Sequence, residues 1–161
     1  MILDDITAAT LIRVAAEKEK CPLNEIKKLA YDSPDTDYSF YKALKRDGIS
    51  LICEVKKASP SKGIIAEYFP YIDIAKDYEK SGADCISVLT EPKWFLGSNE
   101  IFTEIRGNVS IPMLRKDFTV DEYQIYQAKA MGADAVLLIC ALSDTDTLKR
   151  YLDICRELKL S

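Results

Sequence analysis

Hydrophobic positions along the chain change their period at Gly48. Before it, Ile6, Leu11, Val14 and Ala15 follow the acidic pair Asp4-Asp5 at helical spacing, and Pro22 opens a second run through Ile26 and Leu29. Side chains three or four residues apart share one face of a helix, and both acidic residues and Pro suit a first turn, so residues 1–47 predict a helical extension. After Gly48 comes Ile49-Ser50-Leu51-Ile52-Cys53-Glu54-Val55-Lys56, short and rich in β-formers, which predicts a first strand.

Three further runs have the same character: Cys85 to Leu89, Ile111 to Arg115, and Ala135 to Cys140, each separated from the last by an amphipathic, helix-sized segment. A closing segment, Asp144 to Leu160, places Leu148, Leu152, Cys155 and Leu158 on one side of a last helix. Ser81-Gly82-Ala83-Asp84 and Met131-Gly132-Ala133-Asp134 form a weak internal repeat, each reading as a helix ending at Gly and turning into a strand. Thr119, three residues before Glu122, predicts a capping box for the helix between them. Near-continuous apolar strands alternating with helices imply an α/β protein with a parallel sheet. Periodicity alone leaves open a doubly wound sheet or part of a closed barrel. A dinucleotide-binding fold expects G-x-G-x-x-G after the first strand, and this strand runs instead into Lys57-Ala58-Ser59-Pro60-Ser61-Lys62-Gly63.

Composition narrows the chemistry. The 161 residues, 48% of them hydrophobic, suit one domain with a core of ordinary size. A net charge of −4 without a basic block argues against nucleic acid as a partner. No apolar run approaches the roughly eighteen residues needed to span a bilayer, and the N-terminus has no basic or apolar leader pattern, so the expectation is a cytoplasmic protein with no membrane partner. Cys21, Cys53, Cys85, Cys140 and Cys155 contain no C-x-x-C pair, and three fall in apolar runs, which predicts reduced packing residues. The absence of histidine removes Ser-His-Asp chemistry, H-E-x-x-H zinc sites and imidazole catalysis, leaving Lys, Asp, Glu, Tyr and Cys for proton transfer.

Glu54 and Lys56, two residues apart on the first strand, leave the same face of the sheet, and Lys116 occupies the corresponding end of the third strand. These charges are either solvated at fraying strand ends or gathered at the C-terminal rim where barrels keep their sites. Two ammonium groups suit an anionic substrate, and repulsion with partial desolvation would make one of them a general acid. Ser59 lies in a turn rich in hydroxyl and N–H donors. Trp94, Phe95 and Phe118 follow the second and third strands, and Leu137 and Ile139 share a face of the fourth. All five are either core packing or the apolar wall of a pocket.

Taken together, Glu54-Val55-Lys56-Lys57-Ala58-Ser59-Pro60-Ser61, Ser87-Val88-Leu89-Thr90-Glu91, Phe95-Leu96-Gly97-Ser98, Leu114-Arg115-Lys116-Asp117-Phe118 and Gly132-Ala133-Asp134-Ala135-Val136-Leu137-Leu138-Ile139 resemble, in order and spacing, the signature of indole-3-glycerol-phosphate synthases. The resemblance implies an incomplete (β/α)8 TIM barrel: the first four βα units, residues 48–161, preceded by the helical extension of residues 1–47. It implies a lyase of tryptophan biosynthesis that closes the indole ring of 1-(2-carboxyphenylamino)-1-deoxyribulose 5-phosphate with loss of CO2 and water, using no cofactor and no metal. Carried over, Lys116 matches the general acid, Lys56 a second lysine that assists binding and dehydration, and Glu54 the carboxylate that orients both. Ser59 falls in the substrate-binding turn, while Phe95, Phe118, Leu137 and Ile139 match the pocket around the anthranilate ring. The family's glutamate base on the fifth strand, its polar residues on the sixth and seventh, and its phosphate-binding loops have no counterpart up to Ser161. The expectation is therefore a truncated chain, poorly active alone, that self-associates through exposed half-barrel edges or pairs with a C-terminal half. A non-catalytic half-barrel that serves binding or assembly is the alternative.

Overall fold

The structure, a computed structural model, describes residues 1–161. Two helices, α1 (Ile2–Lys20) and α2 (Leu23–Asp32), and the short α3 (Ser39–Leu44) precede β1 (Ile52–Val55). A small hairpin, β2 (Ala58–Ser59) and β3 (Gly63–Ile64), leads into α4 (Tyr71–Lys80) and β4 (Cys85–Leu89). Then α5 (Asn99–Arg106), β5 (Met113–Lys116), α6 (Glu122–Ala130), β6 (Ala135–Val136), a 3-10 turn (Cys140–Leu142) and α7 (Thr145–Glu157) complete the chain. The main sheet is parallel with the order β1-β4-β5-β6. Each strand lies beside its predecessor in sequence. A doubly wound sheet reverses direction at a switch point, and this sheet does not, so its order is that of successive units of a barrel.

Alternation along the strands sends Val55, Ile86, Val88 and Met113 outward, where they are sealed by Ala75 of α4, Phe102 and Ile105 of α5 and Ala128 of α6. A second cluster joins Val14 of α1 and Ile26 and Ala30 of α2 to Tyr123, Ile125 and Tyr126 of α6 and to Tyr151, Ile154 and Cys155 of α7. Helix α6 is therefore buried on nearly every side, between the sheet, α7 and the N-terminal helices. On the opposite, inner face of the sheet, Phe40 of α3 covers Cys85 and Ala135 at the N-terminal ends of the strands.

The Gly-Ala-Asp repeat has a structural meaning. After α4 and α6, Gly82 and Gly132 take φ of +90° and +84°, and paired bonds close each helix: Ala83 N–H to Tyr78 O with Gly82 N–H to Glu79 O, and Ala133 N–H to Ala128 O with Gly132 N–H to Lys129 O. This Schellman ending requires a left-handed residue, which glycine adopts without a steric cost. The aspartates that follow also match. Asp84 accepts the backbone N–H of Leu51 beside β1, and Asp134 that of Met113 on β5, while Arg46 and Arg106 pair with them.

Several expectations are corrected. The buried stripe of α1 is Ile6, Thr10 and Val14, with Leu11 exposed; the Thr10 hydroxyl donates to Ile6 O, which satisfies it inside the helix and lets the residue be buried. In α2 the buried partner of Ile26 is Ala30 and not Leu29, and in α7 it is Tyr151 and Ile154, not Leu152, that turn inward. The first strand is shorter than its apolar run, with Ile49 84% exposed. Regular pairing of the fourth strand ends at Val136, and Cys140, read as a buried strand residue, is exposed in the 3-10 turn. Thr119 is not a helix cap: Asp121 caps α6 by accepting from Tyr123 N–H, and the Thr119 hydroxyl donates to Leu137 O across 2.8 Å.

The two faces of the sheet predict opposite mutational costs. Phe102→Ala, which opens a cavity under the sealed outer face, is expected to cost about 3–5 kcal/mol. Ile52→Ala, on the inner face where the side chain is 47% exposed, is expected to cost less than about 1 kcal/mol. Urea unfolding of the two variants checks the asymmetry.

Candidate active site

The inner face changes character toward the C-terminal ends of the strands. In the parallel register Glu54 stands level with Ser87 and Leu114, and Lys116 lies one rung higher, level with Leu89. Successive same-face positions therefore rise from apolar to charged. Glu54 Oε1 accepts a hydrogen bond from Lys56 Nζ at 2.7 Å, and Oε2 accepts from Lys116 Nζ at 2.8 Å and from the Ser87 hydroxyl at 3.3 Å. One carboxylate thus bridges two ammonium groups across three strands. Burial pushes the Glu54 carboxyl up, but the hydrogen bonds and charges of Lys116 and Lys56 outweigh it and hold the group below its ordinary value.

The three charges line a cavity of about 190 Å³. Phe95, Phe118, Leu137 and Ile139 supply its apolar wall. The rings of Phe95 and Phe118 meet at 6.0 Å between centroids and 41° between planes. Seven of the nine residues singled out from the sequence thus converge. Ser59 does not line this cavity. It sits buried in the β2–β3 hairpin, where its hydroxyl accepts from Lys62 N–H at 3.3 Å. Trp94 is also turned elsewhere, with Lys93 Nζ over its ring.

Leu89 and Asp117 complete the lining. Both escaped the sequence reading, although Leu89 is readable as the same-face neighbour two residues on from Ser87. Glu91 was likewise quoted without a role. It is 2% exposed, and its carboxylate accepts the backbone N–H groups of Lys93, Trp94 and Phe95, which shapes the loop that presents Phe95. The loop then returns so closely that a Cβ on Gly97 would stand 2.1 Å from Leu89 O. Only glycine fits there.

Chemically, Glu54, Lys56 and Lys116 carry one more positive than negative charge beside an apolar wall, while the fourth charge of the lining, Asp117, is offset by Arg13 and Arg115. Such a site favours an anion with an apolar body, and an ammonium group at its edge can stabilise or protonate a developing oxyanion. No group of three or more His, Cys, Asp or Glu side chains is close enough together to hold a metal ion. No helix is long and apolar enough to cross a membrane.

Because the folded Glu54 titrates below its ordinary value of 4.5, its contribution to stability is fully present above that value and is lost as the pH falls through the lower folded one. Glu54→Gln is therefore expected to cost stability at neutral pH and to cost progressively less on acidification. Urea midpoints of both proteins, followed from about pH 7 to about pH 3, check this sign.

The geometry agrees with what the chain is similar to. A family model described as indole-3-glycerol phosphate synthase matches residues 3–161. Curated relatives named indole-3-glycerol phosphate synthase include those of Ruminiclostridium cellulolyticum, 57% identical over 100% of this chain and 62% of the relative, and Endomicrobium trichonymphae, 52% identical over 100% of this chain and 63% of the relative. That of Lachnoclostridium phytofermentans is 45% identical over 100% of this chain and 64% of the relative. The chain thus spans less than two thirds of the length of these proteins. A match across nearly every residue places the chain in the indole-3-glycerol phosphate synthase family.

Proposed function

We propose that this chain contributes the first half of the active site of a decarboxylating, ring-closing lyase acting on 1-(2-carboxyphenylamino)-1-deoxyribulose 5-phosphate. The observation that carries the proposal is Glu54 held between Lys56 and Lys116 in the lining of a largely apolar slot. Lys116 donates a proton to the substrate carbonyl oxygen as the aromatic carbon attacks. Lys56 assists binding and the later loss of water, and Glu54 keeps both ammonium groups aimed into the slot. Phe95, Phe118, Leu137 and Ile139 hold the anthranilate ring, and their low polarity favours loss of CO2 from its carboxylate. Ser59 belongs to the neighbouring turn to which the resemblance assigns substrate binding, its hydroxyl accepting from Lys62 N–H within that turn. No cofactor is assigned.

On this reading residues 1–47 are a helical extension and residues 48–161 the first four units of the barrel. The general base and the phosphate site belong to later strands, supplied by a C-terminal segment or by association with a second polypeptide. The start of that continuation is suggested at Ser161, whose N–H donates to Asp134 O at 2.9 Å and whose carbonyl accepts from Val136 N–H at 3.2 Å, the pattern of a further parallel strand beside β6. Localisation in the cytoplasm is part of the same proposal.

The test is a ring-closure assay following the fluorescence of indoleglycerol phosphate, run on this chain alone and after mixing with a C-terminal segment from one of the relatives. Little turnover alone and clear turnover in the mixture are expected. In the mixture, Lys116→Ala is expected to lower kcat by about 10²–10⁴-fold, the usual worth of a positioned general acid. Saturable binding of the substrate without turnover, in a mixture shown to be folded, would replace this reading with a non-catalytic one.

A further inference from the structure

Behind the reacting cluster, at the ends of β4 and β5, lies a second group of charges that the proposed chemistry does not use. Asp117 follows Lys116 directly, its side chain is 2% exposed, and its carboxylate is filled by donors. Oδ1 accepts Phe118 N–H at 2.8 Å, and Oδ2 accepts the Thr90 hydroxyl at 2.8 Å and Arg115 Nη2 at 3.2 Å. The remaining donor comes from far away in sequence: Arg13 of α1 places Nη2 at 2.9 Å from each oxygen. Arg115 is tied in addition to Thr90, Asn99 and Gln124 O, and Glu17 lies 3.7 Å from Arg13. Two guanidinium groups therefore face two carboxylates.

Among these donors Arg13 alone touches both oxygens. Both contacts come from one nitrogen, so the rotation of the carboxylate is set by Phe118 N–H on Oδ1 and by Thr90 and Arg115 on Oδ2, while the Arg13 charge holds the carboxylate head as a whole, and with it the bond from Oδ1 to the Phe118 N–H. That bond lies in the peptide segment that carries Lys116 on one side and Phe118 on the other. We propose that Arg13 is a positioning residue for the site: by clamping Asp117 it sets the direction of Lys116 toward Glu54 and of Phe118 toward Phe95, so that the N-terminal helix fixes the geometry of the reacting cluster. The proposal rests on the assignment of Glu54 and Lys116 above, but its test needs no turnover. Displacements of about 1 Å in such a cluster are enough to cost on the order of 10²-fold in rate.

The experiment is a 13C-carboxyl NMR titration of Glu54, with the contact between the Phe95 and Phe118 rings read by NOE, in the unsubstituted chain and in Arg13→Ala. Burial pushes Glu54 up, and the hydrogen bond from Lys116 is the largest influence holding it down, so loosening Lys116 raises its midpoint. The expected result is a rise of about 0.5 pH unit or more with a weakened ring contact, persisting at about 0.5 M salt, where the loss of a distant charge is screened. If Arg13→Ala does not fold, Arg13→Gln, which keeps the stem and a donor for docking α1, is read in the same way. An unchanged midpoint and ring contact in a folded variant overturn the proposal, and so does a shift that vanishes in salt. A shifted Glu54 in a protein without ring-closing activity would leave the positioning role standing and remove the chemistry.

Discussion

Parallel strands have no hairpin to set their register, so the alignment of β1, β4 and β5 depends on the side chains that seal their outer face. Val55, Ile86, Val88 and Met113 must all meet the helices together. A slip of one residue in any strand would turn its apolar set to the inner side and its charges into the core. The same register that satisfies the outer face puts Glu54 level with Ser87 and brings Lys116, two strands away, within 2.8 Å of its carboxylate. The site is a consequence of the packing behind it.

The inner face is graded along the strands. At their N-terminal ends Phe40 closes over Cys85 and Ala135, which gives the ionic cluster above an apolar floor. Toward the C-terminal ends the face widens into the slot between Phe95, Phe118, Leu137 and Ile139. Charges set over such a floor are less screened than on an open surface, which strengthens both the Glu54–lysine bonds and any attraction for an anion.

The parts of this arrangement that obey a short-range rule were legible in the sequence. Period-2 alternation put Glu54 and Lys56 on one face, and the repeated Gly-Ala-Asp marked two helix endings that turn out to share the same bonds. What was not legible depends on partners distant in sequence. Leu11 reads as an inward residue, and Thr10 takes that place on the face that meets the rest of the molecule, a choice of partner that spacing does not reveal. Thr119 and Glu122 have the spacing of a capping box, yet Thr119 is drawn away by Leu137 O and the nearer Asp121 takes the cap. The clamp from Arg13 to Asp117 spans 104 residues, and nothing in either segment announces the other.

Asp117 and Glu54 at this end of the barrel share a plan, each a carboxylate between two cations, and differ in the cation. Around Asp117 both are arginines; Asp117 and Arg115 are almost wholly buried and Arg13 mostly so. Around Glu54 both are lysines, each about one third exposed. Arginine keeps its proton under all ordinary conditions and presents a rigid fork, so it holds geometry but does no acid-base work. Lysine carries a compact, rotatable ammonium group that can transfer a proton. The sealed cluster therefore suits a fixed brace, and the open one suits a reaction that needs a proton donor. Exchanging the cations between the two positions would leave the total charge unchanged but put the rigid fork in the open slot and the flexible ammonium group in the sealed one.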